Sequence, residues 1–283
     1  MVRQDLYRHC TALMESADIP DSDFDTMCIF QDVLKDKLPM MLPFMTVDAD
    51  KEAAILEMVD KRISGIPLQY ILGEWEFWGL PIKVGEGVLI PRPDTETLIE
   101  DILKIVEKSG MTSPKIADLC SGSGCIALAL KSEIPSADVY AVELSEKALA
   151  YLKENVELNK ADITVIHGDV LSAATAENLT ELDIIASNPP YLTAQDMDEL
   201  QVEVQKEPET ALFGGNDGLD FYRAMTPIWR KSLKTGGYLC YEFGMGQEKD
   251  IEKIMIENRF TDIKFSRDGG GIIRTVTAKK TEV

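Results

Sequence analysis

The chain has 283 residues, of which 45% are hydrophobic and 28% charged, and its formal net charge is −20. This length suits one large domain or two ordinary ones, and the composition is that of a globular protein with a substantial core. A negative charge of this size repels phosphate backbones, so unaided binding to nucleic acid is not expected. The five cysteines include no CxxC pair and there are two histidines, which argues against both a disulfide framework and a zinc site.

The sequence shows no secretory or membrane signal. The first ten residues include Arg3, Asp5 and Arg8 and no apolar stretch, so no signal peptide is predicted. The longest strongly apolar run, near residues 125–130, is far too short to span a bilayer. Together with the odd number of cysteines, these features predict a protein of a reduced, cytoplasmic compartment.

The first seventy or so residues follow a helical pattern. Apolar residues recur at spacings of three and four in amphipathic stretches around Leu13, Ile29 and Ile55. Prolines separate these stretches, Pro39 among them, because proline cannot continue a helix. We therefore predict a helical N-terminal domain over residues 1–73.

Residues 74–92 have a different composition, with aromatic and β-branched residues and several glycines. Ile82 and Val84, and then Val88 and Ile90, alternate as strand residues do. This pattern predicts a β-hairpin linker between two domains.

From Asp94, which can cap the next helix, strands and helices alternate to the end of the chain. Strands are predicted at 115–119, 138–142, 163–166, 182–187, 237–243, 261–265 and 272–278. Helices are predicted from residue 125, over 145–159 and over 247–258. The alternation predicts an α/β domain over 93–283, with a mostly parallel, doubly wound sheet. The last two strands have no helix between them, so they should form a hairpin that places one antiparallel strand in the sheet.

A glycine-containing loop follows the first of these strands. The loop consists of Asp118, Leu119, Cys120, Ser121, Gly122, Ser123 and Gly124. Its glycines allow backbone N–H groups to approach a ligand at a helix start, and Glu143, at the tip of the second strand, can accept hydrogen bonds from ribose hydroxyls. These features indicate an adenosine-containing ligand but leave NAD and S-adenosylmethionine both open. Asp169 follows the third strand, where adenosine would pass, although Gly168-Asp169 is also a common turn pair.

The fourth predicted strand ends in Asn188-Pro189-Pro190-Tyr191, at the edge of the sheet where α/β proteins bind ligands. The prolines remove two backbone donors and favour extended conformations, which leaves the Asn188 side-chain oxygen and the Pro189 carbonyl as rigid acceptors. Two acceptors suit a planar NH₂ group, and the ring of Tyr191 can lie against a planar substrate. Such a site favours methyl transfer to nitrogen by positioning and electrostatics, and it argues against NAD.

These features resemble the class I S-adenosylmethionine-dependent methyltransferases that methylate planar NH₂ nitrogens. More specifically, the sequence resembles the HemK/PrmC family, the peptide chain release factor glutamine methyltransferases. The matching segments are 67–73 (PLQYILG), 77–80 (FWGL), 88–96 (VLIPRPDTE), 207–212 (EPETAL), 214–219 (GGNDGL) and 241–244 (YEFG) with Gln247. Adenine methyltransferases share the tetrapeptide at 188–191 but not the block 67–96, which is therefore the specific signal.

The resemblance implies a seven-stranded class I methyltransferase sheet behind a helical substrate-recognition domain. It also implies methylation of the glutamine in the Gly-Gly-Gln motif of class I release factors, with S-adenosylmethionine as methyl donor, S-adenosylhomocysteine as product and no metal. Asn188 and Pro189 would hold the amide, with Pro190 and Tyr191 beside them. The implied cofactor-binding residues are Asp118, Cys120, Ser121, Gly122, Ser123, Gly124, Glu143, Asp169, Val170 and Asn188. The partner would be a protein rather than nucleic acid or a membrane, and we expect a monomer.

Two positions depart from the family pattern. Glycine is usual in the family where Cys120 stands, and we expect that this position has a negative φ that cysteine tolerates. Aspartate is common where Glu143 stands, and the longer side chain should contact the ribose from slightly further back.

Two other hypotheses compete with release factor methylation. The first is methylation of adenine or of another protein amide, although residues 1–73 hold thirteen acidic and seven basic residues, which is unsuitable for a DNA clamp. The second is a non-catalytic nucleoside-binding module, which would not need an intact tetrapeptide. Arg92 and Thr95 could either close over the cofactor or brace the hairpin, and Glu209 is more typical of a solvated loop acid than of a substrate contact.

Overall fold

The structure, a computed structural model, describes residues 1–36 and 43–282. These residues form two compact units, one of Met1–Glu74 with Gln201–Lys206 and one of Trp75–Leu200 with the chain from Glu207 onward. Pro39, predicted to separate two helices, lies outside the described residues. In the part of the chain that is described, every helix is too short or too polar to traverse a lipid bilayer.

The first unit is helical, as predicted. Its helices are α1 (Arg3–Ser16), α2 (Ser22–Leu34), α3 (Ala49–Ile63) and α4 (Leu68–Leu72). Ile29 and Ile55 are fully buried in its core because they lie on the apolar faces of α2 and α3. Arg62 at the end of α3 is also buried, and its guanidinium lies 2.6 Å from Asp25 and 2.6 Å from Glu203. The pair with Glu203 attaches the distant segment Gln201–Lys206 to this unit, which no local pattern could predict.

The hairpin consists of β1 (Glu74–Phe77) and β2 (Leu80–Lys83), joined by Trp78 and Gly79. Both turn residues have positive φ, at 53° and 70°, as a two-residue hairpin turn of type I′ requires. The predicted alternation at Val88 and Ile90 does not produce a strand: both side chains are buried, but the backbone there is irregular. Two nearby glycines interrupt the strand, and the Ile90 N–H is bonded to a side chain instead of a neighbouring strand.

The second unit contains the predicted mixed sheet. Its strands are β3 (Lys115–Leu119), β4 (Asp138–Glu143), β5 (Ile163–His167), β6 (Leu182–Ser187), β7 (Leu233–Glu242), β8 (Phe260–Arg267) and β9 (Ile273–Lys280). Within the described residues the sheet has seven strands in the order β5-β4-β3-β6-β7-β9-β8. Only β9 runs antiparallel to the other six strands, and it pairs with both β7 and β8. The α/β fold class and the terminal hairpin are therefore confirmed.

Helices connect and flank the strands of this unit. They are α5 (Glu96–Ser109), α6 (Cys125–Glu133), α7 (Glu146–Leu158), α8 (Ala173–Glu177), α9 (Ala194–Asp198), α10 (Asp220–Trp229) and α11 (Glu248–Glu257). Ser145 caps α7 by accepting a bond from the Ala148 N–H at 3.4 Å, as expected. The prediction that Asp94 caps α5 is wrong: a 3-10 turn, Pro93–Thr95, precedes the helix, and the Asp94 carboxylate lies 3.4 Å from Arg274.

Helix α10 was not predicted from the sequence. Its apolar face consists of Tyr222, Met225 and Trp229, all of which are fully buried against the sheet. Their spacing is helical, but Pro227 lies inside the helix and weakens the local signal. Burial of these three large side chains outweighs the unfavourable effect of proline inside the helix.

The register of the sheet brings the predicted site loops together. Leu119 at the end of β3 pairs with Ser187 at the end of β6, and Ser187 in turn pairs with Tyr241 of β7. These strands are parallel, so their carboxyl ends meet at one edge, and the residues that follow them face a common space.

Candidate functional site

A cavity of about 720 Å³ lies at this edge of the sheet, entirely within the second unit. Nine of the predicted site residues line it, namely Cys120, Ser121, Gly122, Ser123, Glu143, Asp169, Val170, Asn188 and Pro190. Arg92, Thr95 and Glu209 also line it. The cavity is large enough for a nucleoside with an attached side chain, and the tetrapeptide forms part of the same wall as the glycine loop.

Four predicted site residues do not line the cavity. Asp118 is fully buried behind the loop, where its Oδ2 accepts a bond from the Ala127 N–H at 3.2 Å. Gly124 packs so closely that a Cβ there would lie 2.3 Å from the Leu152 side chain. Pro189 is buried, and Tyr191 is half-buried against the core. These residues can therefore support the cavity wall through their backbone and packing.

The loop after β3 turns sharply, and Cys120 has a φ of +58°. The expectation of a negative φ at this position is wrong. The turn is held by the Ser121 N–H, which donates to the Val142 carbonyl at 3.1 Å, and by the Gly124 N–H, which donates to the Ser121 carbonyl at 2.7 Å. A left-handed conformation costs a residue with a Cβ roughly 1–2 kcal/mol, which explains why glycine is usual here.

Glu143 contacts the glycine loop directly. Its Oε2 accepts a bond from the Gly122 N–H at 2.8 Å, and its Oε1 accepts one from the Ser145 N–H at 2.7 Å. A carboxylate has about four acceptor positions, so two remain for ligand hydroxyls. The glutamate thus both orders the loop and stays available at the cavity wall.

Asp169 both forms a turn and lines the cavity, the two alternatives that the sequence left open. Its Oδ1 accepts a bond from the Leu171 N–H at 2.8 Å, which is an Asx turn, and the residue also lines the cavity. The turn holds the Asp169-Val170 pair against the ligand space.

The backbone around the tetrapeptide is held from behind by a second glycine-rich loop. The Tyr191 carbonyl accepts a bond from Gln247 at 3.0 Å. A Cβ on Gly214 would lie 2.6 Å from the Pro190 carbonyl oxygen and 2.8 Å from the Tyr191 Cα. The segments 214–219 and 241–244 with Gln247 therefore pack against the tetrapeptide and limit its movement.

Asn155 is a supporting residue that the sequence analysis missed. It is fully buried on α7, and its Nδ2 donates to the carbonyls of Lys83 at 3.0 Å and Ser123 at 2.9 Å. Its Oδ1 accepts a bond from the Lys83 N–H at 2.6 Å. One side chain thus joins the hairpin to the glycine loop. The available signal was a polar residue on the otherwise apolar face that includes Leu152.

Glu207 was also missed. Its carboxylate is buried, accepts a bond from the Ile90 N–H at 3.0 Å and pairs with Arg92. The pair shows that Arg92 braces the segment after the hairpin, while its side chain still lines the cavity.

Two buried carboxyl groups lie next to the site. Burial raises the pKa of Asp118 to about 7, and burial also raises the pKa of Glu242 to about 7. Oδ1 of Asp118 and Oε2 of Glu242 have no hydrogen-bond partner in the described part of the chain. Unpaired buried oxygens are costly and are concentrated at functional sites.

Three features together define a class I methyltransferase. They are the strand order, the glycine loop after β3 and the acid at the end of β4. A methyltransferase from Pyrococcus furiosus has the same fold: it is 17% identical, with a TM-score of 0.54, over 83% of this chain and all of that one. Residues 94–212 match the methyltransferase small domain family.

The family follows from closer relatives. Residues 5–73 match the PrmC N-terminal domain. A release factor glutamine methyltransferase of Fusobacterium nucleatum is 37% identical over 98% of this chain and 78% of its own length. One from Thermodesulfovibrio yellowstonii is 36% identical over 88% of this chain and 90% of its own. The chain belongs to the HemK/PrmC family of release factor glutamine methyltransferases.

Proposed function

We propose that this protein transfers a methyl group from S-adenosylmethionine to the side-chain amide nitrogen of the glutamine in the Gly-Gly-Gln motif of class I release factors. The observation that carries the proposal is the position of Asn188, an amide on the wall of a nucleoside-sized cavity that also contains Glu143. The named activity of the relatives supports the same reaction.

The residues of the cavity fit the methyl donor. Glu143 has unused acceptor positions for ribose hydroxyls, and Gly122 has open space where a Cβ would stand. Asp169 and Val170 form a wall suited to the base. When bound, S-adenosylmethionine supplies an electrophilic methyl group on a positively charged sulfur.

The tetrapeptide would hold the acceptor amide. Asn188 lines the cavity, and its Oδ1 would accept one N–H group of the glutamine side chain. The Pro189 side chain is buried, so only its backbone carbonyl would accept the second N–H group, which aims the nitrogen lone pair at the methyl carbon. The N–C bond forms as the S–C bond breaks, and one amide proton leaves to solvent. Because the acceptors are held rigidly, the chain accelerates the reaction through orientation and electrostatics rather than through a strong base.

We propose that the helical domain of residues 1–73 and the hairpin linker of 74–92 recognise the release factor, while residues 93–283 carry the chemistry. The net charge of −20 favours a protein over DNA as substrate. A release factor acts in translation, so the cytoplasm is the compartment in which this activity would be used.

A labelled-methyl assay with purified release factor, followed by mapping of the modified residue, tests the proposal. We expect one methyl group on the Gly-Gly-Gln glutamine and none on DNA or RNA. Asn188→Ala should lower turnover by about a hundredfold while binding of S-adenosylhomocysteine is largely kept, because one preorganised polar group is lost. Asn178→Ala, at an exposed helix end, is the matched control and should behave as wild type. Label in nucleic acid, or full turnover by Asn188→Ala, would refute the proposal.

A further inference from the structure

Two side chains lie next to each other where β6 and β7 end. Ser187 of β6 pairs with Tyr241 of β7, so the following residues, Asn188 and Glu242, occupy neighbouring positions at the edge of the sheet. Asn188 lines the cavity, whereas Glu242 is 1% exposed and lies behind the wall. Oε2 of Glu242 has no hydrogen-bond partner among residues 1–36 and 43–282.

Thr95 lies between these groups. It is 2% exposed, and its Oγ1 accepts a hydrogen bond from Nδ2 of Asn188 at 3.3 Å. A threonine hydroxyl that accepts one bond still has a proton to donate. The carboxyl of Glu242 lies beside both Thr95 and Asn188 and is the acceptor available to them.

This arrangement decides which end of the Asn188 amide is presented to a ligand. The amide group is planar, so when Nδ2 is held toward Thr95, Oδ1 lies on the opposite side. Turned by 180°, the same side chain would present an NH₂ group to the cavity, and two donors would then face each other when a substrate amide binds. A carboxylate can only accept hydrogen bonds. When Glu242 is ionised, Thr95 therefore donates to Glu242 and accepts from Asn188, which holds Nδ2 of Asn188 toward Thr95.

We propose that Thr95 and Glu242 are positioning residues that hold the Asn188 amide with its oxygen toward the acceptor amide of the substrate. This inference rests on the proposed function for its catalytic consequence, but the orientation of Asn188 can be measured without any reaction. Neither Thr95 nor Glu242 supplies the methyl group or removes a proton; both act through Asn188.

The charge of Glu242 affects this role. Its pKa is raised to about 7, chiefly by burial and also by the nearby Asp94, while Thr95, Arg274 and Asn188 act in the opposite direction. Other titratable groups that interact with Glu242 are Tyr191, Tyr222 and Cys125. A protonated Glu242 can donate as well as accept, so the preference for one amide orientation weakens as the pH falls below about 7.

The central test compares Thr95→Val, which keeps the shape but removes the hydroxyl, with Thr95→Ser, which keeps the hydroxyl. In Thr95→Val we expect kcat to fall by at least about tenfold, with the dissociation constant for S-adenosylhomocysteine unchanged within about threefold. Thr95→Ser should recover kcat to within about threefold of wild type. Thr226→Val removes another buried hydroxyl, on α10 and outside the cavity wall, and should leave kcat unchanged.

Glu242→Gln tests the direction of the hydrogen bonds. The variant should have a lower kcat and should lack the fall in rate that wild type shows as the pH decreases through about 7. Equal kcat values for wild type and Thr95→Val, no recovery in Thr95→Ser, or an unchanged pH profile in Glu242→Gln would each overturn the inference.

A measurement on the side chain itself separates this inference from the proposed function. In ¹⁵N-labelled protein, the side-chain NH₂ signals of Asn188 should shift in Thr95→Val and return toward the wild-type position in Thr95→Ser. If wild type fails to methylate release factor but these signals behave as expected, the proposed function fails and the orientation stands. If methylation occurs but the signals do not respond to the loss of the hydroxyl, the inference fails alone.

Discussion

Cys120 offers a direct test of backbone strain in the glycine loop. Its φ of +58° lies in the left-handed region, which costs a residue with a Cβ roughly 1–2 kcal/mol. At ordinary positions, replacing alanine by glycine instead destabilises a protein by about 0.4–1 kcal/mol through the entropy of the unfolded chain. Cys120→Gly and Cys120→Ala both remove the thiol, so their comparison isolates the backbone term.

The two effects oppose each other, and the strain is the larger. We therefore expect Cys120→Gly to be more stable than Cys120→Ala by about 0.5–1 kcal/mol, the reverse of the usual order. Urea unfolding monitored by tryptophan fluorescence and circular dichroism would measure this difference from the two midpoints.

Cys240 provides the matched control. It is fully buried in β7, where the backbone has ordinary strand geometry, so Cys240→Ala should be more stable than Cys240→Gly. If Cys120→Ala proves as stable as Cys120→Gly or more so, the loop does not hold this residue in a strained conformation and the reasoning is refuted.

Three further predictions concern groups around the site. Burial raises the pKa of Asp118 to about 7 from 3.8, so the folded protein binds the carboxyl proton more tightly than the unfolded chain does. The stabilisation that this proton gives to the fold is complete below about pH 4 and is lost as the pH rises through 7. The free energy of unfolding of Asp118→Asn, measured relative to wild type, should therefore increase by about 2–3 kcal/mol between pH 5 and pH 8. A difference between the two proteins that does not change with pH would contradict this pKa. Asn155→Ala removes three hydrogen bonds to the backbone of Lys83 and Ser123 and should cost about 3 kcal/mol in urea unfolding, whereas exposed Asn178→Ala should cost less than about 0.5 kcal/mol. Gly214→Ala should displace Pro190 and lower turnover at least about tenfold with the fold retained, whereas Gly269→Ala, with open space around it, should have full turnover.

Local sequence patterns were sufficient to predict most of the strands of the second unit. The strands that lead into Cys120 and Asn188 are short apolar runs with turn residues after them, and both were predicted with the bounds that the structure shows. Their pairing, Leu119 beside Ser187, places the loop and the tetrapeptide on one cavity wall, as expected for parallel strands. What the pattern could not specify was the backbone of the loop itself, where hydrogen bonds to a neighbouring strand impose the positive φ of Cys120.

The errors and omissions arise from long-range partners. Asp94 has the residue type of a helix cap, but a cation on β9, Arg274, is close enough to pair with it instead. Asn155 and Glu207 appear as ordinary polar residues until the hairpin backbone is placed against them. Glu242 lies at the end of an apolar strand, and its importance depends on Thr95, nearly 150 residues away in the chain.

The sequence by itself determined the fold class, the family and the chemistry-bearing residue types, because periodicity, glycine loops and short motifs are encoded within a few neighbouring positions. Only the tertiary structure decided which groups surround the Asn188 amide and which predicted residues face the cavity rather than the core. The physical reason is that a hydrogen-bond direction, a buried charge and a strained backbone angle each depend on partners brought together by packing, and sequence distance carries no information about those partners.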